Sequence, residues 1–465
     1  MPTNSDNSTY DVIIAGGGAS GTALLYVLSR YTNIRRIALL EKHDALGNVN
    51  SHATKNSQTL HVGDIETNYD IEKVRQVKPA AIMVKRYADA LPRDEGSPIL
   101  RKMQKMVLGV GAAEIAELEK RYEEIKELFP ELEKLDATSI ARVEPEVMRG
   151  RSPHEPVLAL FNQNGYAINY GLLSRSFAKK AQEEPHKQIE VLTGHTLTKI
   201  EKYGGSYILT TEQGNFRSPI VIVDTDAYSL GFAKKLGYGK EFSLIPVAGS
   251  FYFTPEKLRG KVYRVQEKRM PFAAVHGDPD LTKEDVTRWG PTARFYPVLE
   301  AGDLHTMGAF FASAGLHRPQ TWVSFIMILL EPIRFWYLVK NFFYDLPLVG
   351  KHFFIPQIRR IIPTIRVSEL RWAKGYGGMR LQRVHTTTHE LLLGEGKIIG
   401  DNIIFNMSPS PGASVCIYNA VRDTEQIMKF APQFSFDKKR MLSELCEPKP
   451  SVENVDVSLR DTYAS

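Results

Sequence analysis

The alternation of apolar and polar positions divides the chain before any motif is sought. The first nine residues, MPTNSDNST, are polar, carry no apolar signal region and read as a flexible tail over 1–9. Val12 to Ala15 is an apolar run of strand length, and Ile37 to Leu40 is a second. Between them, Thr22 to Arg30 sets Ala23, Leu24, Val27 and Leu28 on one face at helical spacing. A long polar stretch from Lys42 to Tyr69 lacks periodicity, which inside a compact domain points to a functional loop. Residues 71–91 read as helix, Val107 to Gly111 as a short strand or turn, and 112–135 as a charged helix. That helix carries Ile115, Leu118, Tyr122, Ile125 and Leu128 as its stripe, with Pro130 ending or kinking it.

The pattern then changes period. A helix near 171–184 is followed by strands Ile189 to Leu192, Thr196 to Glu201, Tyr207 to Thr211 and Ile220 to Val223. Residues 244–312 read as short strands between Gly and Pro turns, the signature of an antiparallel sheet. In 321–354 the apolar run Val323 to Leu330 is broken by Glu331 and Pro332, so it is too short for a transmembrane helix. The next stretch crowds Phe335, Trp336, Tyr337, Phe342, Phe343 and Tyr344 around Arg334 and Lys340. Aromatics mixed with basic residues suit a membrane interface, and a buried helical pair is the competing reading. Ile398 to Phe405 reads as a strand, NMSPSPGAS as a loop, and Val415 to about Phe430 as a helix; the charged end reads as a tail over 431–465.

Composition narrows the class. A chain of 465 residues calls for about two domains, and 43% hydrophobic with 24% charged residues is globular. The net charge of +6 is modest and its Lys and Arg are dispersed, which gives no nucleic-acid signature. Cys416 and Cys446 make neither a metal set nor a disulfide framework, so a reducing compartment fits and no metal site is expected.

The opening stretch carries the first chemistry. Gly16, Gly18 and Gly21 have GxGxxG spacing between strand and helix, and Glu41 closes the second strand twenty residues after Gly21. Gly16 permits the turn, Gly18 lets backbone approach a pyrophosphate, and Gly21 lets helix pack on strand. Ala19 and Ser20 open the helix whose free N–H groups meet the phosphates, while Glu41 accepts from a ribose and Lys42 follows it. The loop before the last long helix, with Ser410, Gly412 and Ala413, repeats the device of backbone N–H groups aimed at a ligand.

With that fingerprint, the segments NSQTLHVGDIETNY, PVAGSFYF, AAVHGDP, GPTA and NMSPSPGAS occur in order. In them the chain resembles the FAD-dependent malate:quinone oxidoreductases from about Tyr10 to Phe430, and more widely the D-amino acid oxidase group of flavoproteins. The resemblance implies an α/β fold. Its Rossmann-like FAD-binding domain is assembled from discontinuous segments, 10–100, 165–240 and 371–430. A helical insertion spans 101–164, and an inserted α+β substrate domain on an antiparallel sheet spans 241–370, with 321–354 as candidate membrane contact. It further implies FAD as cofactor, oxidation of (S)-malate to oxaloacetate, a membrane quinone as acceptor, and peripheral attachment to the inner, cytoplasmic face of the membrane. Another 2-hydroxy acid such as L-2-hydroxyglutarate, oxygen as acceptor, and a flavin-binding protein without catalysis stay open.

Oxidising a 2-hydroxy acid removes a hydride from C2 and a proton from the hydroxyl, so a base is needed. His276, in AAVHGDP, is the first candidate and His61 the second, the latter also suited to the flavin ring; Asp278 either orients His276 or caps a turn. Arg380, in GYGGMR, is the carboxylate fork that related oxidases place there, with Arg288 and Arg294 as candidates for the second carboxylate. Asn56, Ser57, Gln58 and Thr59 are expected to supply flavin and substrate hydrogen bonds. One departure stands out. After Val223, where such flavoproteins have small neutral residues, this chain has Asp224 and Asp226. Carboxylates beside a pyrophosphate are unfavourable, so they are expected either to face solvent or to alter cofactor binding.

Overall fold

A computed structural model describes residues 8–266, 274–392, 394–408 and 411–447. The expected tail over 1–7, the end of the chain beyond 447 and Ser410 lie outside the described residues. At the centre is a six-stranded sheet in the order Gly396–Ile399, Ile403–Met407, Ile220–Val223, Val12–Ala15, Arg36–Leu40, Gln188–Leu192. It is parallel apart from the Gly396–Ile399 edge. Its two central strands, Ile220–Val223 and Val12–Ala15, are apolar and buried at every position because both faces are covered. Val12, Ile14, Ile37, Leu39, Ile220 and Ile222 pack under the helices Ala19–Tyr31, Tyr170–Gln182 and Cys416–Phe430. Ile13, Ala38, Leu40, Val221 and Val223 pack on the other side, against Tyr207, Leu209, Phe216 and the helix Ala227–Lys235.

The fingerprint behaves as its spacing predicts. Gly16 has φ +118°, and a Cβ there would sit 2.1 Å from the Asp224 carbonyl oxygen. A Cβ on Gly21 would sit 2.0 Å from the Gly16 carbonyl oxygen, so only glycine lets this helix lie on this strand.

A second, eight-stranded sheet runs Arg371–Trp372, Tyr252–Pro255, Val286–Gly290, His276–Pro279, Lys261–Arg264, Lys105–Val110, Val157–Asn162, Glu133–Leu135. All its pairings are antiparallel except Lys261–Arg264 with Lys105–Val110. In a smaller, four-stranded sheet Phe242–Ala248 pairs with Met379–His385.

Several expectations are corrected here. The 101–164 segment is not a helical insertion, because Lys105–Val110, Glu133–Leu135 and Val157–Asn162 are strands of the eight-stranded sheet. The charged helix ends at Ile125, and the apolar residues beyond it, Phe129 and Leu132, turn inward with Leu118 and Ile125 to join one cluster. Residues 304–314, expected within a run of strands, are helical. Ile398 to Phe405 is a hairpin, not one strand, and Asn402 takes the left-handed turn position at φ +57°. Arg371–Trp372, assigned to the cofactor domain, pairs in the eight-stranded sheet. The expected tail contains the helix Lys438–Leu445, which buries Met441 and Leu445 and pairs Glu444 with Arg30 at 2.8 Å. Ser8 and Thr9, at the end of the expected N-terminal tail, pair with Phe216 and Arg217.

Among the described residues no single helix is long and apolar enough to cross a membrane. Pro319–Leu329 and Pro332–Tyr344 form a pair bent by 86° at the Glu331–Pro332 break. They are not a buried pair. Phe325, Ile328 and Tyr344 face inward, whereas Trp322 at 52% and Trp336 at 67% exposure face out with Ile326, Met327, Leu330 and Ile333.

Candidate active site

The Gly-rich turn, the polar loop after Glu41 and the inner face of the eight-stranded sheet enclose one cavity of about 800 Å³. Gly16, Gly18, Ala19, Ser20, Gly21, Glu41, Lys42, Asn56, Ser57, His61, His276, Arg380 and Ala413 all line it. The donor set at one end suits a dinucleotide. Gly18 caps the helix Ala19–Tyr31 without a side-chain hydrogen bond, so N–H groups of the first turn remain for an anion. The Ala19 N–H is the exception, donating to Ser51 Oγ at 3.0 Å. Glu41 accepts from the Gly17 and His43 N–H groups, which fixes the carboxylate at the edge of the turn. Lys42 bonds Glu300 and Tyr228, so its charge is matched within the protein.

Asp224 and Asp226, both half-buried, line the cavity beside the glycine turn. Burial raises the Asp224 carboxyl far above its usual range, and Asp423 and Asp226 push it further. Burial raises Asp226 to about 6, against a hydrogen bond from Asn50 Nδ2 at 3.0 Å and one from the Ser408 backbone. Burial thus favours the neutral form of Asp224 beside the turn, whereas Asp226 gains its charge above about pH 6.

On the strand His276–Pro279, His276 is fully buried. Its Nδ1 meets the Ala274 carbonyl at 3.1 Å and its ring stacks on Tyr263 at 4.4 Å. With Nδ1–H donated, Nε2 carries the lone pair, and Nε2 has no hydrogen-bond partner among the described residues. Burial drives the imidazole down to about 4, with Lys261 and Arg288 adding to the effect against the pull of Asp278. Asp278 does not orient it. That carboxylate accepts from Lys261 at 2.6 Å and Arg288 at 2.9 Å and stands 3.9 Å from His276 Nε2. Burial opposes its ionisation, but Arg288 and Lys261 outweigh this and hold it at about 2.

His61 is differently committed. Its Nδ1 meets Glu66 at 2.6 Å and its Nε2 meets Ser57 Oγ at 3.1 Å, so both nitrogens are engaged. Arg380 sits on Met379–His385 and points into the cavity; burial lowers its pKa, while Tyr69 and Tyr337 nearby favour its charge.

Most other expected residues do not reach the cavity, and Asn56 reaches it with its side chain committed elsewhere. Gln58, fully buried, donates to Ala53 and Asp280 and accepts from the Leu281 N–H. Thr59 is tied to the Ser57 carbonyl and Tyr263. Asn56 lines the cavity, but its side chain braces its own loop through Asn50, His52 and Gln58. Arg288 joins Asp278 to the Asn56 and Ser57 carbonyls, and Arg294 pairs with Asp345 at 3.3 Å; neither lines the cavity, so neither meets a second carboxylate there. Gly412 packs against Ser408 rather than facing the ligand space.

Residues missed by the sequence reading include Ser51, Tyr263, Tyr69 and Gln382. Only Gln382 left a signal: two positions after Arg380 on one strand, it must share that residue's face.

The model of the FAD dependent oxidoreductase family matches residues 11–413. The chain is 40% identical to a probable malate:quinone oxidoreductase of Campylobacter jejuni, over 94% of this chain and 99% of that one. It is 38% identical to the malate:quinone oxidoreductase of Helicobacter pylori, over 94% and 98%. Among solved structures it is similar in fold to the L-alpha-glycerophosphate oxidase of Mycoplasma pneumoniae with FAD bound, at TM-score 0.62 and 17% identity, covering 91% of this chain and 95% of that one. Glycine oxidase of Geobacillus kaustophilus gives TM-score 0.61 and 15% identity over 91% and 95%.

Proposed function

The chain belongs to the malate:quinone oxidoreductases within the FAD dependent oxidoreductase family, and from that premise we propose that it oxidises (S)-malate to oxaloacetate and passes the electrons to a membrane quinone. The observation that carries the catalytic reading is His276: a neutral, fully buried imidazole with a free Nε2 in the same cavity as the glycine turn. Bound FAD supplies the acceptor for the C2 hydride. The chain's own work is to hold malate and take its proton. Arg380 grips a carboxylate with a fork that never loses its charge, in a site dry enough to strengthen the pairing. His276 Nε2 then accepts the hydroxyl proton, while the Ala274 carbonyl and the Tyr263 ring fix the tautomer and the plane. Anaerobic addition of malate to the yellow holoprotein tests this: the flavin absorbance bleaches, and a soluble quinone restores it. Bleaching by L-2-hydroxyglutarate and not by malate overturns the substrate; recovery with oxygen and not with quinone overturns the acceptor.

Replacing Arg380 by lysine raises the malate KM about tenfold with a smaller change in the rate at saturation, because a point charge cannot form the two parallel bonds. Steady-state kinetics over a malate series reads this.

The Asp226 carboxyl gives a pH signature. Raised to about 6, it is mostly neutral below that pH and charged above it, beside the space for an anionic pyrophosphate. FAD affinity of the apoprotein is therefore expected to fall about threefold or more between pH 5 and 7.5. In Asp226→Asn that dependence flattens. Quenching of FAD fluorescence on titration measures both.

The bent pair Pro319–Leu329 and Pro332–Tyr344 is the surface by which the protein rests on the bilayer. Its outward Trp322, Ile326, Met327, Leu330, Ile333 and Trp336 lie together and not scattered, with Arg334 and Lys340 on the second helix. Such a surface lies in the interface and is drawn to anionic lipid. The double variant Trp322→Glu, Trp336→Glu is expected to lose most sedimentation with anionic liposomes while staying yellow. Undiminished sedimentation would count against this contact.

A further inference from the structure

We propose that quinone enters between the Phe242–Ala248/Met379–His385 sheet and the bent helix pair, and that its ring is held at Gln382. This rests on the quinone reading above. Opposite residues of an antiparallel pair share a face. Arg380 stands opposite Val247, Gln382 opposite Ile245, and Val384 opposite Ser243, so all of these look the same way. Their face is not solvent. Ile245, Val247 and Val384 form one apolar cluster with Ala293, Phe325 and Ile328, against which Tyr337 packs.

That cluster joins two regions. On one side Val247, Ala293, Gln382 and Arg380 line the main cavity. On the other, Phe325 and Ile328 are the inward residues of a helix whose outward residues, Trp322, Ile326 and Met327, are exposed. The bilayer-facing surface and the cavity are thus separated by one helix, about 10 Å across. The second helix is tied down at its far end, where Asn341 accepts from the Ala293 N–H at 2.8 Å and Asp345 accepts from Thr292 and Ser250.

Gln382 makes this wall a site. It is 3% exposed, lines the cavity, and its Oε1 has no partner among the described residues. A buried amide oxygen without a partner is costly, which points to a ligand that supplies one. The strand rise puts Gln382 about 7 Å beyond Arg380, away from the malate carboxylate and towards the helix pair. An apolar wall with one amide matches a quinone: the oxygen accepts from a quinol O–H, and the rotated amide donates to a quinone carbonyl. The overall exchange balances. Malate loses a hydride from C2 and a proton from its hydroxyl; quinone gains two electrons and two protons, and its two carbonyls become hydroxyls.

The test separates the two halves of the reaction in the holoprotein. With Gln382→Leu, the concentration of a short-chain ubiquinone giving half-maximal reoxidation of malate-bleached enzyme is expected to rise about tenfold, more than bleaching itself is slowed. Titration of tryptophan fluorescence with a redox-inert hydroxyquinoline N-oxide should weaken by a similar factor. Ala293→Leu, which adds bulk to the apolar cluster and leaves the Gln382 amide in place, should slow reoxidation in the same sense and carries the test if Gln382→Leu loses its flavin. Unaltered quinone and inhibitor constants in both variants overturn the proposal, as does a change confined to bleaching. If wild-type enzyme bleaches with malate yet no quinone reoxidises it, the acceptor reading itself fails, which is a distinct result.

Discussion

Asparagine at position 276 is expected to slow malate-dependent bleaching of the flavin by about 10²- to 10⁴-fold, the range a positioned base contributes. The side chain donates in the same region but cannot take a proton. FAD should remain bound, because His276 belongs to the eight-stranded sheet and the glycine turn follows a strand of the six-stranded one. The pH profile distinguishes a base from a merely structural histidine. Free enzyme holds His276 at about 4, so kcat/KM for bleaching should be level near neutrality and fall only as pH drops through that value. Malate brings two negative charges near Nε2, which favours the imidazolium. The acid limb of the bleaching rate at saturation should therefore lie above that of kcat/KM. In His276→Asn both limbs should disappear with the activity. A variant that bleaches at the wild-type rate would return the role of base to another group. His61 is a weaker replacement, since Ser57 and Glu66 occupy both its nitrogens.

Leucine at position 21 is expected to leave the protein colourless. A Cβ there would stand 2.0 Å from the Gly16 carbonyl oxygen and 3.4 Å from Ile14 Cγ2. The first contact is with backbone, so no rotamer relieves it; the helix Ala19–Tyr31 must move off the strand, taking its N-terminal N–H groups away from the phosphate position. Overpacking typically costs about 1–3 kcal/mol even where side chains can adjust, so FAD affinity should fall roughly a hundred-fold or more. Gly308→Ala is the control: it lies in the helix Met307–Ala314 with nothing within 4 Å of an added Cβ, and it should stay yellow. Absorbance of the purified proteins and FAD titration of the apo forms measure the difference. A yellow Gly21→Leu protein with wild-type FAD affinity would contradict the packing argument.

Local patterning by itself determined the cofactor half. Val12–Ala15, the glycine turn, the helix after it and Arg36–Leu40 are contiguous, and each element's spacing states its own period and punctuation. The break at Glu331–Pro332 was legible for the same reason, since proline stops a helix through local sterics. What failed was anything decided by distant partners. The strand Glu133–Leu135 exists because Val157–Asn162 lies beside it, and no residue nearby announces that. Arg288 and Arg294 look like substrate cations in sequence, but Asp278 and Asp345, brought close by folding, claim their charges. Gln58 looks like a site residue and is instead braced by Ala53 and Asp280. His276 and His61 differ little as letters; only the finished fold leaves one with a free nitrogen and the other with none. The physical reason is the same in each case. Period and turn chemistry are properties of a few consecutive residues, whereas burial, charge pairing and hydrogen-bond satisfaction depend on which parts of the chain meet.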